Sequence, residues 1–504
     1  MVLVPHILSI IIWLPIITGL LILLINKKYL SYFAVLTGVI NMVLSLILLK
    51  NFNNIGEGWQ FIESYRWLPN LGVYYTLGVD GFSVLLILLS CFVNLLVLIT
   101  SLQPANNKSQ YMACFLIMNG LMCGVFSATD AMLFYIFFES MLIPLFLIIG
   151  IWGGPNRIYA TIKFFLYTFL GSVLFLAAII YLHKIAIDSG VAVEKSFVMQ
   201  TFYSLKLTIQ QQIYLFIALF VAFAIKIPMV PFHTWLPDAH VEAPTEGSVM
   251  LAAVALKIGA FAMLRFLLPI TTDACLLFSK FIIAVSIVAV VYVGFIAIAQ
   301  KNLKKLIAYS SISQMGFVTM GMFIAIVLAK EQNVNQAISS INGSVIQMIS
   351  HGLISAGLFF SIGVLYNRKI LTEDLNGIIH LMPTFAKLFM LFCLANIALP
   401  GTIGFVGELL IILASFKFNW QVAAILATGL LLSASYTLWM YKKTVFDGPG
   451  FNITAYHQLR SDLNYKETLV LTSGAILILL FGIWPAPIFN ILNNSTLALI
   501  KVIS

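Results

Sequence analysis

Charge is what this chain has least of. Only 9% of its 504 residues are Asp, Glu, Lys or Arg, against roughly a quarter in soluble domains, and no polar stretch is long enough to fold as a separate soluble unit. Cysteines are few and scattered: Cys91, Cys114, Cys123, Cys275 and Cys393 each stand alone in an apolar segment, with no CxxC pair and no Cys/His spacing suited to zinc or an iron–sulfur cluster. Neither GxGxxG nor GxxxxGK(S/T) occurs, which removes the two common nucleotide-binding loops. A cleavable signal is missing too. The first apolar run has no basic leader and no small-residue cleavage site, so it is expected to stay as a span. These absences argue against a soluble enzyme with its own metal, cluster or nucleotide, and any redox cofactor is expected in other chains.

What fills the sequence is hydrocarbon. Hydrophobic residues make up 61% of it, and apolar runs of about 20 residues, the length that crosses a bilayer as a helix, recur from end to end. Strands of a barrel would alternate apolar and polar residues instead. The expected fold class is therefore an all-α polytopic membrane protein with about fourteen transmembrane helices. The runs lie near 7–25, 30–49, 80–101, 110–128, 130–151, 161–183, 212–231, 246–268, 274–297, 303–328, 338–366, 384–414, 420–443 and 467–490. The net charge of +9 is not a nucleic-acid signature, because the basic residues sit mostly in short loops. Lys27, Lys28, Lys108, Arg157, Lys301, Lys304, Lys305, Arg368, Lys369, Lys442 and Lys443 fall on one side, which the positive-inside rule makes the inner side. Lys301, Lys304 and Lys305 read as a surface anchor there. Two long polar connections, 50–80 and 184–212, fall on the outer side, and the first, rich in Trp, Tyr and Gly, reads as a folded cap.

Spans four to eight and nine to thirteen form two sets of five. In each set the fourth member joins an ionisable residue to a proline break: Lys226 before Pro228 and Pro231, Glu408 after Pro400 and Gly401. An odd number of crossings per set turns the second copy upside down, and inverted repeats with broken helices are how transporters build ion sites at the midplane. Two unrelated proline kinks would leave the same pattern. On the repeat reading the chain divides into three N-terminal helices with their outer loop (1–109), a first five-helix repeat (110–268), a second, inverted repeat (269–443) and a C-terminal helix with its tail (444–504).

An ionisable side chain at the centre of a span costs about 2.5–3.5 kcal/mol on insertion scales, so it needs a reason. Five such positions, each in a different span, are the candidate proton-translocating residues: Glu139, Lys226, Lys257, His351 and Glu408. A carboxylate near a lysine favours its charged form, and separating the two favours proton release. A Glu139–Lys226 pair would therefore be a switch, although a static ion pair tying two helices together fits the sequence equally well. Histidine titrates near pH 6.5, about right for a relay, while a hydrogen-bonded core histidine is the plainer alternative for His351. Candidate supporting residues are His233, His240, Gln314 and Gln347. Gln347 precedes His351 by one helical turn, and Gln314 can orient water without titrating. His233 and His240, with Asp238 and Glu242, follow the seventh-span break at spacings that match no common metal site, so no metal is expected.

At these residues a resemblance appears. ESMLIPLFLIIGIWGGPNRIYATIKFFLYT, AIKIPMVPFHTWLPDAHVEAPTEGSVMLAAVALKIGAFAMLRF, NGSVIQMISHGLISAGLFFSIGVLYNR and LANIALPGTIGFVGELLI resemble the antiporter-like membrane subunits of respiratory complex I, from Leu77 to beyond the thirteenth span. The resemblance implies discontinuous seventh and twelfth helices within two inverted five-helix repeats. Glu139 resembles the family's glutamate of the fifth helix, Lys226 the lysine of the broken seventh, Lys257 the central lysine of the eighth, His351 the histidine of the eleventh and Glu408 the glutamate of the broken twelfth. Many members carry histidine where this chain has Gln314. The sequence stops soon after the fourteenth run, without the long lateral helix of the largest related subunit. The resemblance further implies proton translocation within an NADH:quinone oxidoreductase, with NAD, FMN, iron–sulfur clusters and quinone in partner subunits, other membrane-arm subunits as neighbours, and a bacterial inner membrane in preference to a mitochondrial one. A subunit of a multi-chain cation/proton antiporter is the alternative, followed by the membrane arm of an energy-converting hydrogenase. A non-pumping scaffold would not need lysines at mid-membrane.

Overall fold

The computed structural model of the chain describes residues 5–24, 27–56, 58–101, 107–368, 378–446 and 462–504. Of the expected inner-side cations, Lys369 lies outside the described residues, as does much of the start of the expected C-terminal segment. Six helices come first: α1 (Ile7–Ile22), α2 (Lys27–Asn51), α3 (Gly81–Thr100), α4 (Lys108–Ser127), α5 (Ala131–Trp152) and α6 (Arg157–Asp188). A hairpin of β1 (Gln60–Leu68) and β2 (Val73–Val79) stands between α2 and α3. The seventh span comes in two pieces, α7 (Ile209–Lys226) and α8 (Trp235–Glu242), followed by α9 (Thr245–Ile270), α10 (Thr272–Ile298), α11 (Leu303–Lys330) and α12 (Val334–Asn367). The twelfth is likewise divided into α13 (Pro383–Asn396) and α14 (Ile403–Phe418), and α15 (Trp420–Val445), α16 (Tyr465–Ile483) and α17 (Ala486–Ile503) complete the order.

Among the described residues, 13 helices are long and apolar enough to cross a membrane. With α1 and the divided twelfth span added, and α17 set apart, the number is the expected fourteen. Their starts follow capping chemistry, since side-chain oxygens take up the N–H groups that a first turn leaves unpaired. Asp130 accepts from Met132 and Leu133 at the head of α5, Thr208 and Gln211 form a capping box on α7, and Asn464 and Glu467 form another on α16. The most apolar windows of α9, α11 and α12 are wholly buried, whereas those of α2, α6, α10 and α15 are less than half buried. The three enclosed helices make the core of the molecule, and the others turn apolar side chains outward to lipid.

The outer connections are folded, as the Trp- and Tyr-rich composition suggests. Glu63 on β1 reaches back to the head of α1, where its carboxylate accepts from the N–H of Leu8 (2.9 Å) and Ser9 (3.2 Å) and from the Ser9 hydroxyl. Bridges between Leu77 and Ala128 and between Asp130 and Val198 bind both long connections to the start of α5. One boundary differs from expectation. The apolar run near 467–490 is not one helix, because Trp484 leaves the helical conformation and Pro485 opens α17. The second half of α17 is held at the outer end by Gly81 N–H to Ser495 Oγ (2.8 Å), Asn494 Nδ2 to the Asn54 carbonyl (2.6 Å) and Lys330 Nζ to the Ser504 carbonyl (3.1 Å).

At the inner end, Asp462 accepts from the N–H of Thr384 (2.6 Å) and Phe385 (3.2 Å) in the first turn of α13, and from that of Leu463 (2.8 Å). Partial burial works to raise its pKa, but these bonds outweigh burial and hold it below the ordinary carboxylate value. A carboxylate so lowered stabilises the fold above its unfolded pKa and loses that contribution as pH falls through the native one. Asp462→Ala is expected to cost about 1 kcal/mol or less and to speed hydrogen exchange at Thr384 and Phe385 at neutral pH, with no further acceleration on acidification. Wild-type exchange at both amides would remove the cap from the account.

Candidate functional site

The core helix α9 carries Lys257 at a point where its backbone is not an ordinary α-helix. Leu251–Ala255 forms a π-helical turn, a widening that shifts carbonyls out of their usual pairing. The side chain of Lys257 exploits it, donating to the Ala252 carbonyl at 2.6 Å while its Nζ lies 2.6 Å from Nδ1 of His351 on α12. Both side chains are buried, Lys257 completely. Small residues let the helices close around them. A Cβ on Gly352 would stand 2.9 Å from the Ala253 carbonyl, and one on Gly259 would stand 3.0 Å from the Lys226 Cβ.

Lys226 ends α7 at the break. Pro228 has no N–H for the Ala224 carbonyl, which Met229 N–H takes instead at 2.8 Å, and the Ile225 carbonyl is satisfied by Trp235 Nε1 at 2.9 Å. Lys226 Nζ makes no hydrogen bond and hangs 4.9 Å over the Phe138 ring. Glu139 on α5 is half-buried, and its Oε2 also has no partner. Among the described residues the Glu139–Lys226 pair raised by the sequence is not closed into an ion pair; Lys226 Nζ instead meets the ring of Phe138, the residue next to Glu139. The two groups remain in electrostatic reach of each other.

The second break mirrors the first. Pro400 has no N–H for the Asn396 carbonyl, and Gln314 Nε2 on α11 supplies the donor at 3.3 Å. Leu399 N–H returns to the Leu394 carbonyl at 3.1 Å, five residues back as Met229 returns to Ala224. Gln347 Nε2 on α12 then bridges Gln314 Oε1 (2.6 Å) and Glu408 Oε1 on α14 (3.1 Å). Glu408 Oε2, Gln347 Oε1 and the Ser350 hydroxyl are buried without partners. A polar seam thus passes from the Lys226 break beside Gly259, through the Lys257–His351 contact, and one helical turn along α12 to Gln347 and Glu408.

His233 precedes α8 and His240 lies in its last turn, and among the described residues no three His, Cys, Asp or Glu side chains gather as a metal site would need. Their acidic neighbours are engaged elsewhere: Asp238 with Lys163 (2.7 Å), and Glu242 with the N–H of Asn156 (2.8 Å). His240 is fully buried with neither ring nitrogen bonded. Two positions escaped the sequence reading. Lys304, expected as a surface anchor, turns inward and donates to the Ala243 carbonyl at 2.8 Å, since the polar backbone after α8 offers it acceptors. Arg265, on a second π-helical turn (Met263–Leu267), ion-pairs with Asp80 at the outer end and stacks 4.4 Å over Trp59.

Residues 128–433 match the family described as NADH:quinone oxidoreductase/Mrp antiporter, TM. The chain is 40% identical over 510 residues to NADH-quinone oxidoreductase subunit M of Rhodobacter capsulatus, covering 98% of this chain and 96% of that one. It is 39% identical to NADH-ubiquinone oxidoreductase chain 4 of Chondrus crispus, covering 97% and 96%. A chain of respiratory complex I from Thermus thermophilus with bound NADH superposes with a TM-score of 0.87 at 28% identity, over 99% of this chain and all of that one.

The close approach of α12 and α14 at Glu408 rests on Gly407. An added Cβ there would meet Gln347 Oε1 at 2.6 Å and the Gln347 backbone nitrogen at 2.9 Å. Gly407→Ala is expected to push the helices apart, breaking the Gln347–Glu408 bond at a cost of about 1–3 kcal/mol. Gly474→Ala, whose Cβ would meet only Phe392 at 3.7 Å, serves as the control. Thermal unfolding of the detergent-extracted protein checks both, and equal midpoints for the two variants would contradict the close packing.

Proposed function

The chain belongs to the NADH:quinone oxidoreductase/Mrp antiporter transmembrane family, and from that premise we propose the route its protons take. It is a multi-pass membrane protein and a proton-translocating membrane subunit of an NADH:quinone oxidoreductase, the reading its nearly full-length relatives carry over the multi-chain antiporter. Protons come from the inner side, load Lys226, pass Lys257 and His351, and leave outward by Glu408. His233, His240, Gln314 and Gln347 support this route. The observation that carries it is the seam itself, in which the Lys226 break, Lys257–His351 and Gln347–Glu408 follow one another across the core.

Each element has a task that follows from its chemistry. Lys226 and Glu139, in reach but not in contact, form a pair whose charges respond to a small change in the separation of α5 and α7. Lys257 and His351 share a short contact in which one proton can lie on either nitrogen. Glu408 is held on one oxygen by Gln347 and keeps the other available. Moving each charge against 100 mV takes about 2.3 kcal/mol, so an external source is required, and quinone reduction in partner subunits supplies it.

The redox groups belong to those partners. An iron–sulfur cluster needs four converging ligands, thiolates or thiolates with histidines, and the five cysteines here are buried on four helices, Cys114 and Cys123 sharing α4, with Cys91 and Cys123 adjacent at 3.8 Å. This chain's residues do not fit such a group, and NAD, FMN, clusters and quinone are assigned to other subunits. Other membrane-arm subunits and the lipid bilayer are its partners, without nucleic acid, and the bacterial cell membrane is its proposed location. Residues 1–109, 110–268, 269–443 and 444–504 are proposed as its four segments, the two middle ones as inverted repeats.

Lys226→Ala in the assembled complex is expected to lower proton pumping and coupled quinone reductase activity by about tenfold or more while the complex still assembles. Wild-type pumping by an assembled variant would overturn the role of this lysine.

A further inference from the structure

At the inner ends of α3, α9, α12 and α16 lies a cavity of about 470 Å³, lined by Thr100, Glu246, Asn367, Lys466, Glu467 and the ring of Phe360 among others. It does not touch Lys226 or Glu139. Two carboxylates face it, and they differ in what holds them. Glu467 has both oxygens committed to Arg368, at 2.9 and 2.8 Å. Glu246, in the first turn of α9, accepts from the Tyr111 hydroxyl on Oε2 at 3.0 Å and has no ion pair of that kind among the described residues.

Near Glu246 the molecule buries further nitrogen bases. Lys304 is buried, donates to the Ala243 carbonyl at 2.8 Å, and stands in electrostatic reach of both Glu246 and Glu242. His240 precedes by one residue the Val241 whose carbonyl Lys304 Nζ approaches at 3.5 Å, and is in electrostatic reach of both Lys304 and Lys257. Its imidazole is fully buried, stacked on Phe359 at 4.7 Å, and neither nitrogen has a partner. A buried polar group without a hydrogen bond is costly and asks for an explanation. An imidazole explains itself if it works transiently, accepting a proton on one nitrogen and releasing one from the other. His351 and Lys257 lie just beyond, 2.6 Å apart.

We propose that Glu246 collects protons from this inner cavity and feeds them through Lys304 and His240 to Lys257, a second inlet apart from the Glu139–Lys226 pair. The inference rests on the proton-translocating reading above. In each step one proton moves from donor to acceptor: the Glu246 carboxyl becomes carboxylate as the Lys304 amine becomes ammonium, Lys304 returns to amine as His240 becomes imidazolium, and His240 returns to imidazole as Lys257 is charged. Tyr111 orients the Glu246 carboxylate without entering the sequence. The competing role is static, with Glu246 and Lys304 merely pinning α9 to α11.

The test uses the assembled complex in sealed membrane vesicles, with proton uptake and NADH:quinone reductase activity measured across pH. Glu246→Gln is expected to lower pumping by about tenfold or more at alkaline pH, where protons are scarce, and by less at acid pH, while Glu246→Asp keeps most of it. Formate, a weak acid smaller than the cavity, should restore pumping to Glu246→Gln and leave Lys226→Ala unchanged. His240→Gln, beyond the cavity, should lose pumping without formate rescue, and it carries the test if Glu246→Gln fails to assemble. A static pin would respond to neither formate nor pH. Wild-type pumping by assembled Glu246→Gln or His240→Gln, or a loss that formate and Glu246→Asp do not repair, overturns the inlet. If Lys226→Ala is inactive in the same vesicles, the proton-translocating reading survives that result; if Lys226→Ala also pumps normally, it falls too.

Discussion

Within the hydrocarbon layer every backbone donor and acceptor has to find its partner inside the protein, and this constraint governs how the chain can place charge at its centre. A continuous α-helix satisfies its own backbone and leaves no carbonyl unpaired for a side chain to claim. Lys226, Lys257 and Glu408 each lie on a span where that regularity is interrupted, whereas His351 lies within the continuous α12. At the seventh span Pro228 frees a carbonyl that Met229 recovers, and Trp235 takes the next one. At the twelfth span Pro400 frees the Asn396 carbonyl for Gln314. In α9 no proline is used, and a π-helical turn presents the Ala252 carbonyl to Lys257 instead. The π-helical turn thus binds its lysine directly, while at the two breaks the freed carbonyls are taken by Met229, Trp235 and Gln314 and the ionisable side chain beside the break is not their partner.

The two breaks share their construction and differ in what they hold. Both close with a bond reaching five residues back, and both use a side chain from elsewhere in the bundle to cap the opened end. At the first, the ionisable groups are left without direct partners, Lys226 above an aromatic ring and Glu139 with a free oxygen. At the second, Glu408 is tethered by Gln347, which is itself tethered to Gln314. A free pair changes its energy with small movements of its helices, whereas a tethered carboxylate keeps its surroundings. On the proposed route the first half of the core is thus the part that responds and the second the part that conducts.

Much of this was legible in the sequence, for reasons that are physical. The spans follow from the length of hydrocarbon a bilayer requires, and the breaks from prolines beside charge. Glu139, Lys226, Lys257, His351 and Glu408 stood out because a mid-span charge is expensive wherever it occurs. What stayed hidden depends on contacts between distant segments. Lys304 lies three residues from a loop lysine and looked like its neighbours, and only the polar backbone after α8, some sixty residues earlier in the chain, draws it inward. That Lys226 meets the ring of Phe138 could not be read either, since Phe138 is one of many phenylalanines by sequence and is distinguished only by its position. The division of the last apolar run at Trp484 and Pro485 could have been read, since a proline there ends a helix as surely as Pro228 does.

Gln314 shows how the same constraint selects a residue type. At this position the side chain has two simultaneous tasks, donating to the Asn396 carbonyl and accepting from Gln347. A neutral imidazole could do both with its two nitrogens, but on protonation it becomes a donor at each and loses the acceptor. The bond to Gln347 would then break whenever a proton arrived, and with it the hold on Glu408. An amide performs both tasks at every pH. In this chain the tenth span therefore contributes a fixed link in the seam, and on the proposed route the proton passes by His351 and Glu408, around Gln314, whose amide does not titrate.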